Sequence, residues 1–281
     1  VDVARWHGEP VVAVVAESRA LAEDGVDLID IDWDPLPVVA DAEGALDPDA
    51  PLVHPDFESN LAFRLQLDTG DVETAFAAAA TVVEDTFHFG RHTGLTLEPR
   101  SLVADFDPSL RQLTVHHSTQ TPFQMQDVFA RHFGLDEASV RVVAPDVGGS
   151  FGLKLHVYGE EMAACALSIK LGRPVKYVSD RLEAFQTDIH ARDHRVKAKM
   201  AVSGDGEILA MEVDDLTGIG PYSVYPRTSA VEGNQAVRLM GGPYRMPAYR
   251  GTLDVVFQNK TPMCQYRAVG HPVACAVTEG L

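Results

Sequence analysis

The chain has 281 residues, 46% of them hydrophobic and 23% charged, enough to bury a large core and to form two domains. Its formal net charge of −18 sits at the front: residues 1–88 carry 3 Lys or Arg against 20 Asp or Glu, and residues 89–281 carry 20 against 21. That acidic front argues against nucleic acid or an anionic membrane as its partner, no apolar run nears the roughly 20 residues that span a bilayer, and three cysteines without a CxxC pair argue against a disulfide framework or a four-cysteine metal site.

Residues 10–16 read as a buried strand. Residues 18–26 read as a short helix capped by Ser18 and stopped by Gly25, and 28–33 as a strand with one acidic face. Strand, helix and strand make a small α/β unit. Residues 40–71, rich in Pro, Asp and Ala and without periodicity, read as a long connecting segment. Residues 71–80 are expected to be a helix with an acidic first turn. Composition shifts near residue 85, the expected boundary between a domain over 1–84 and one over 85–281. Strands follow at 101–106 and 111–117, joined by an Asp107-Pro108 turn. Thr121-Pro122 opens a helix that Gly134 ends, with Phe123, Val128, Phe129 and Phe133 expected in the core. A strand over 140–144 runs into a glycine loop. A helix over 157–171 closes at Gly172, a strand covers 175–178, and two strands fill 195–216 around Gly204-Asp205-Gly206. The class is α/β, of α+β character with mixed sheets.

The loop is Gly148-Gly149-Ser150-Phe151-Gly152. Glycines let the backbone approach a ligand, and successive N–H groups can grip an anion. Neither a P-loop nor a GxGxxG frame is present. Alone, the loop is an ordinary tight turn. Two other groups give it meaning: Gln120 offers a neutral amide donor and Arg267 a fixed positive fork. The remaining polar clusters read as structural. His190 and His194 belong to a surface helix or turn, Glu160 and Glu161 to a solvated helix face, and Cys165 to the core. His116 and His117, adjacent on a strand, face opposite ways. The three thiols are expected to be reduced and buried, as in a cytoplasmic protein.

Nine stretches in order, among them Leu97-Glu98-Pro99-Arg100, Ser118-Thr119-Gln120-Thr121-Pro122, Gly148 to Lys154, Leu171 to Lys176, Gly242-Pro243-Tyr244 and Tyr266-Arg267, carry a resemblance through nearly the whole chain. It resembles the large subunits of the xanthine oxidase class of molybdenum hydroxylases, which includes aldehyde oxidases and carbon monoxide dehydrogenase-like proteins. The resemblance implies the end of a hammerhead-like domain, then a first cofactor-binding domain truncated at its C-terminal end. It implies a molybdopterin cofactor, as its cytosine dinucleotide, with the metal held by the pterin and by no side chain. Gln120 falls where the family's glutamine meets an oxo ligand. Gly149, Ser150, Phe151 and Gly152 fall on the loop beside the metal, and the Phe151 amide is an expected donor. Arg267 falls on a substrate-orienting arginine.

The implied reaction is hydroxylation of aldehydes or N-heteroaromatics with water as oxygen source. The implied partners are an iron–sulfur subunit and an FAD subunit, in a dimer of heterotrimers, with a small-molecule substrate. The general base, a glutamate in this family, lies beyond these residues; Glu279 is not it. The chain also departs from the pattern. Ser150 and Leu153 replace glycines. Leu155 replaces the glutamate of purine-oxidising members. Ala268 follows Arg267 where copper-containing carbon monoxide dehydrogenases have cysteine, so no copper is expected. An opening at Val1 without Met reads as a piece of a longer polypeptide. The alternative reading is a non-catalytic or split-subunit scaffold of such a complex.

Overall fold

The structure is a computed structural model and describes residues 2–281. Its helices are α1 (Arg19–Asp27), α2 (Val72–Ala77), α3 (Pro122–Phe133), α4 (Gly159–Leu171), α5 (Arg181–Thr187), α6 (Val231–Leu239) and α7 (His271–Gly280). Its strands are β1 (Leu61–Thr69), β2 (Thr81–Phe89), β3 (His92–Thr93), β4 (Ser101–Asp107), β5 (Gln112–His117), β6 (Val140–Val143), β7 (Val175–Val178), β8 (His190–Ala191), β9 (His194–Val202), β10 (Ile208–Gly218) and β11 (Ala248–Val256). Two compact units result, one built on Gly8–Leu36 and Gly94–Asp188, the other on Pro37–Thr93 and Ile189–Leu281. The composition shift near residue 85 falls inside β2.

The first unit holds a four-stranded sheet in the order β6-β5-β4-β7, parallel only between β5 and β6. Asp107 makes the β4–β5 turn by accepting from the N–H groups of Ser109 and Leu110. Pro122 starts α3 where its missing N–H costs nothing, and Gly134 ends it in the left-handed region at φ 62°. Met125 and Phe129 of α3 and Cys165 of α4 pack with Leu113 and Val115 into one core. Full burial of a side chain such as Phe129 contributes about 1.5–3 kcal/mol.

The second unit holds a five-stranded sheet in the order β1-β11-β10-β9-β2, antiparallel except for β10 with β11. Ala236 of α6 and Val273 and Val277 of α7 share a core with Val196, Met200, Met211 and Val213 of the sheet. The β9–β10 hairpin turns at Gly206, with φ 84°.

Several expectations need correction. Residues 10–16 and 28–33 form no ladder, and Val11, Val12, Ile31 and Trp33 are exposed. An isolated edge without a partner strand does not make a strand. Helix α1 is capped by Ser18 but runs through Gly25 to Asp27. The connecting segment ends in β1, whose apolar residues alternate from Leu61 to Leu67 and pair with β11. Phe123 is 85% exposed, and Met125 fills the core instead, because Phe123 lies off the face shared by 125, 128 and 129. Cys275 is exposed, while Cys165 and Cys264 are buried. Glu161 is not solvated but buried against Arg100 and His117. His190 and His194 lie on strands. His194 is buried 2.9 Å from Asp215, and although burial opposes its charge, Asp215 outweighs this and holds the imidazole above its ordinary range.

Candidate functional site

Gln120 and the glycine loop come together within the first unit. Gln120 leaves the C-terminal end of β5 two residues before α3, so its backbone is fixed from both sides. Its N–H donates to Lys154 O at 3.2 Å, and Thr119 Oγ1 donates to the same carbonyl at 2.9 Å. Its side-chain oxygen accepts from Gly152 N–H at 3.0 Å and from the Ser150 hydroxyl. A backbone N–H can only donate, so this contact fixes which end of the amide faces the loop. The Nε2 donors are left without a protein partner among the described residues, on an exposed side chain.

The loop bends sharply. φ is 103° at Gly149, 56° at Phe151 and 100° at Gly152, with Ser150 on the ordinary side. A phenylalanine in the left-handed region costs about 1–2 kcal/mol. Alternation of this kind is the geometry of an anion-binding nest. The N–H groups of Gly149, Ser150 and Phe151 have no protein acceptor among the described residues. Gly148 allows the close approach on which the loop stands: a Cβ there would lie 2.4 Å from Glu98 Cβ.

Behind the loop lies a support built from residues far apart in the chain. Glu98 Oε2 accepts from Gly148 N at 2.7 Å, Ser118 Oγ at 2.6 Å and Lys154 Nζ at 2.7 Å. One carboxylate thus ties the start of the loop, its end and the strand leading to Gln120. Burial opposes the charge of Glu98, but Lys154, Ser118 and the Gly148 N–H outweigh it and hold the carboxyl below the ordinary range. Deeper still, Arg100 is fully buried, bonded to Asp188 at 2.5 Å, Glu160 at 3.3 Å and Glu161 at 3.4 Å, with its guanidinium 3.7 Å from the Tyr158 ring centroid. Glu98 and Arg100 flank Pro99 in one of the nine stretches, Ser118 opens another and Lys154 closes a third, which is the local signal they carry.

Arg267 belongs to the second unit. It is exposed, on a turn between Tyr266 and Gly270 in which Ala268 has φ 73°. Among the described residues no group of three or more His, Cys, Asp or Glu is placed to hold a metal ion. No described helix is long and apolar enough to cross a membrane. The donors gathered at Gln120 and the loop fit an oxygen-rich group.

A family model described as molybdopterin cofactor-binding domain matches residues 53–281. The chain belongs to this family. The nicotine 6-hydroxylase large subunit of Paenarthrobacter nicotinovorans is 36% identical over 281 residues, all of this chain and 34% of that protein. The carbon monoxide dehydrogenase large chain of Afipia carboxidovorans is 33% identical, over 91% of this chain and 33% of its own. Among solved structures, quinoline 2-oxidoreductase from Pseudomonas putida 86 superposes with a TM-score of 0.87 at 35% identity, covering 91% of this chain and 32% of that one. The molybdopterin-binding chain thus spans about a third of the length of these relatives.

Proposed function

We propose that this chain forms one part of the cofactor site in the large subunit of a molybdenum hydroxylase that acts on aldehydes or N-heteroaromatic substrates with water as oxygen source. The observation that carries the reading is Gln120, anchored through its oxygen by Gly152 and Ser150 so that its amide nitrogen is presented outward beside three unpartnered N–H groups. When bound, the molybdenum cofactor supplies the redox chemistry and activates water. The chain's own residues bind and orient it: Gln120 Nε2 and the N–H groups of Gly149, Ser150 and Phe151 donate to its oxygen acceptors. Preorganised donors of this kind are worth about 3–4 kcal/mol each where negative charge grows. Arg267 orients the substrate. The general base is a glutamate contributed by sequence beyond these residues.

The same reading takes the cofactor as the cytosine dinucleotide, without copper. Ala268 follows Arg267, and the nearby Cys264 is buried with its thiol pushed up to about 12 by that burial. It divides the chain into the end of a hammerhead-like domain over 1–84 and a cofactor-binding domain over 85–281. It places the protein in the cytoplasm, in a dimer of heterotrimers with iron–sulfur and FAD subunits. In the complete enzyme, Gln120→Ala is expected to lower turnover by about 10²-fold or to deplete molybdenum. Unchanged turnover with unchanged molybdenum content would overturn the reading.

A further inference from the structure

The Arg267 turn rests on a buried ion pair that takes no part in the chemistry of the proposed reaction. Glu232, on α6, is fully buried, and Arg192 lies in the turn between β8 and β9. Arg192 Nη1 bonds Glu232 Oε1 at 2.8 Å, and Arg192 N–H donates to Glu232 Oε2 at 3.0 Å. The pair then reaches the arginine turn at two points. Arg192 Nη2 donates to Arg267 O at 3.1 Å, and Gly270 N–H donates to Glu232 Oε1 at 3.4 Å. The Arg192 guanidinium also stands 5.5 Å from the Tyr266 ring centroid. Gly270 seats the turn directly on α6, since a Cβ there would come 2.6 Å from Ala236 N. Arg192 and Asp193 are both left-handed, at φ 70° and 71°, so the backbone is bent to bring Arg192 into place.

We infer that Glu232 and Arg192 are positioning residues that hold the backbone of the Arg267 turn and so set where the Arg267 guanidinium is presented to substrate. The inference rests on the reading of Arg267 as the substrate-orienting group. The turn's other side, from Ala268 to Val269, is exposed or half-exposed, so the clamp is its main anchor. Loss of the clamp frees the arginine without removing it, which weakens substrate orientation more than cofactor binding.

The test uses the complete enzyme carrying Glu232→Gln or Arg192→Lys, with Arg267→Ala as reference and benzaldehyde and quinoline as probes. KM is expected to rise roughly tenfold in each clamp variant, with kcat changed less and molybdenum content unchanged. Hydrogen exchange across residues 266–270 is expected to quicken in both. If Arg267→Ala raises KM while the clamp variants change neither KM nor exchange, the clamp is wrong and the role of Arg267 survives. If Arg267→Ala leaves KM unchanged, the role of Arg267 is wrong, and exchange alone decides the clamp: quickened exchange upholds it and unchanged exchange overturns it. A Glu232→Gln enzyme that fails to fold leaves Arg192→Lys, which keeps the charge and loses the fork, to decide by the same two readouts.

Discussion

At Ser150 a hydroxyl occupies a position that glycine holds in the pattern the chain resembles, and the structure uses it twice. It donates to Gln120 Oε1 and accepts from Lys154 N–H at 3.2 Å. Its φ is not left-handed, so a Cβ costs nothing there. Ser150→Ala should keep the fold and remove one of two anchors from Gln120. A hydrogen bond worth about 1 kcal/mol corresponds to about a fivefold fall in kcat. Steady-state rates at constant molybdenum content check this; an unchanged kcat would mean that Gly152 alone holds the amide. Ala268 makes the opposite case. It is exposed and left-handed at φ 73°, so its methyl group adds strain. Ala268→Gly relieves about 1–2 kcal/mol of strain and loses about 0.5–1 kcal/mol to a freer unfolded chain. A melting temperature higher by about 1–3 °C is expected, and a lower one would show that the strain is not real.

Among the elements, α4 carries the least expected chemistry. Its first turn reads as two solvated glutamates, yet Glu160 and Glu161 meet Arg100 from the segment before β4, with Asp188 just after α5. Removing the cation leaves these carboxylates without their buried partner. Arg100→Met is expected to cost about 3–5 kcal/mol by chemical denaturation, and a cost below 1 kcal/mol would mean that the acids find other partners. What the sequence made legible was local: the Asp107 turn, the Pro122 start and Gly134 stop of α3, and the Gly206 hairpin are each set by neighbours in the chain. The glycine loop and Gln120 were legible as strings of motif. What escaped was long-range. β1 alternates in its apolar residues, but only β11, far along the chain, makes it a strand. Nothing near Glu232 in sequence announces Arg192, and nothing near Glu161 announces His117 or Arg100. Buried charges look like surface charges until their partners are brought to them by the fold.

For the molecule as a whole, acid is a condition that weakens the site's support. Glu98 has an ordinary value of 4.5 and is held below it when folded. A carboxyl with a lowered folded value adds stability that is complete above the ordinary value and is lost as pH falls through the lowered one. Stability should therefore decline as pH drops below about 4.5, and the decline should be shallower in Glu98→Gln. Urea midpoints measured from pH 6 downward test this; parallel curves for the two proteins would remove Glu98 from the account. Burial also opposes the charge of Glu161, yet His117 and Arg100 hold its carboxyl low, so it adds to the slope in the same direction.

The alternation of the chain between the two units has a consequence for how the protein is born. All strands of the four-stranded sheet lie within Gly94–Asp188, so that sheet can close as soon as its own stretch has left the ribosome. The five-stranded sheet has no such freedom. Leu65 is made early, but its partner Leu253 is made near the end. At synthesis rates of about 5–20 residues per second the interval is roughly 10–40 s, during which β1 waits unpaired, whereas β2 waits only for β9. The nascent chain therefore passes through a stage in which the four-stranded sheet is complete while β1 still has no partner on either side, and both its edges are then open to mispairing.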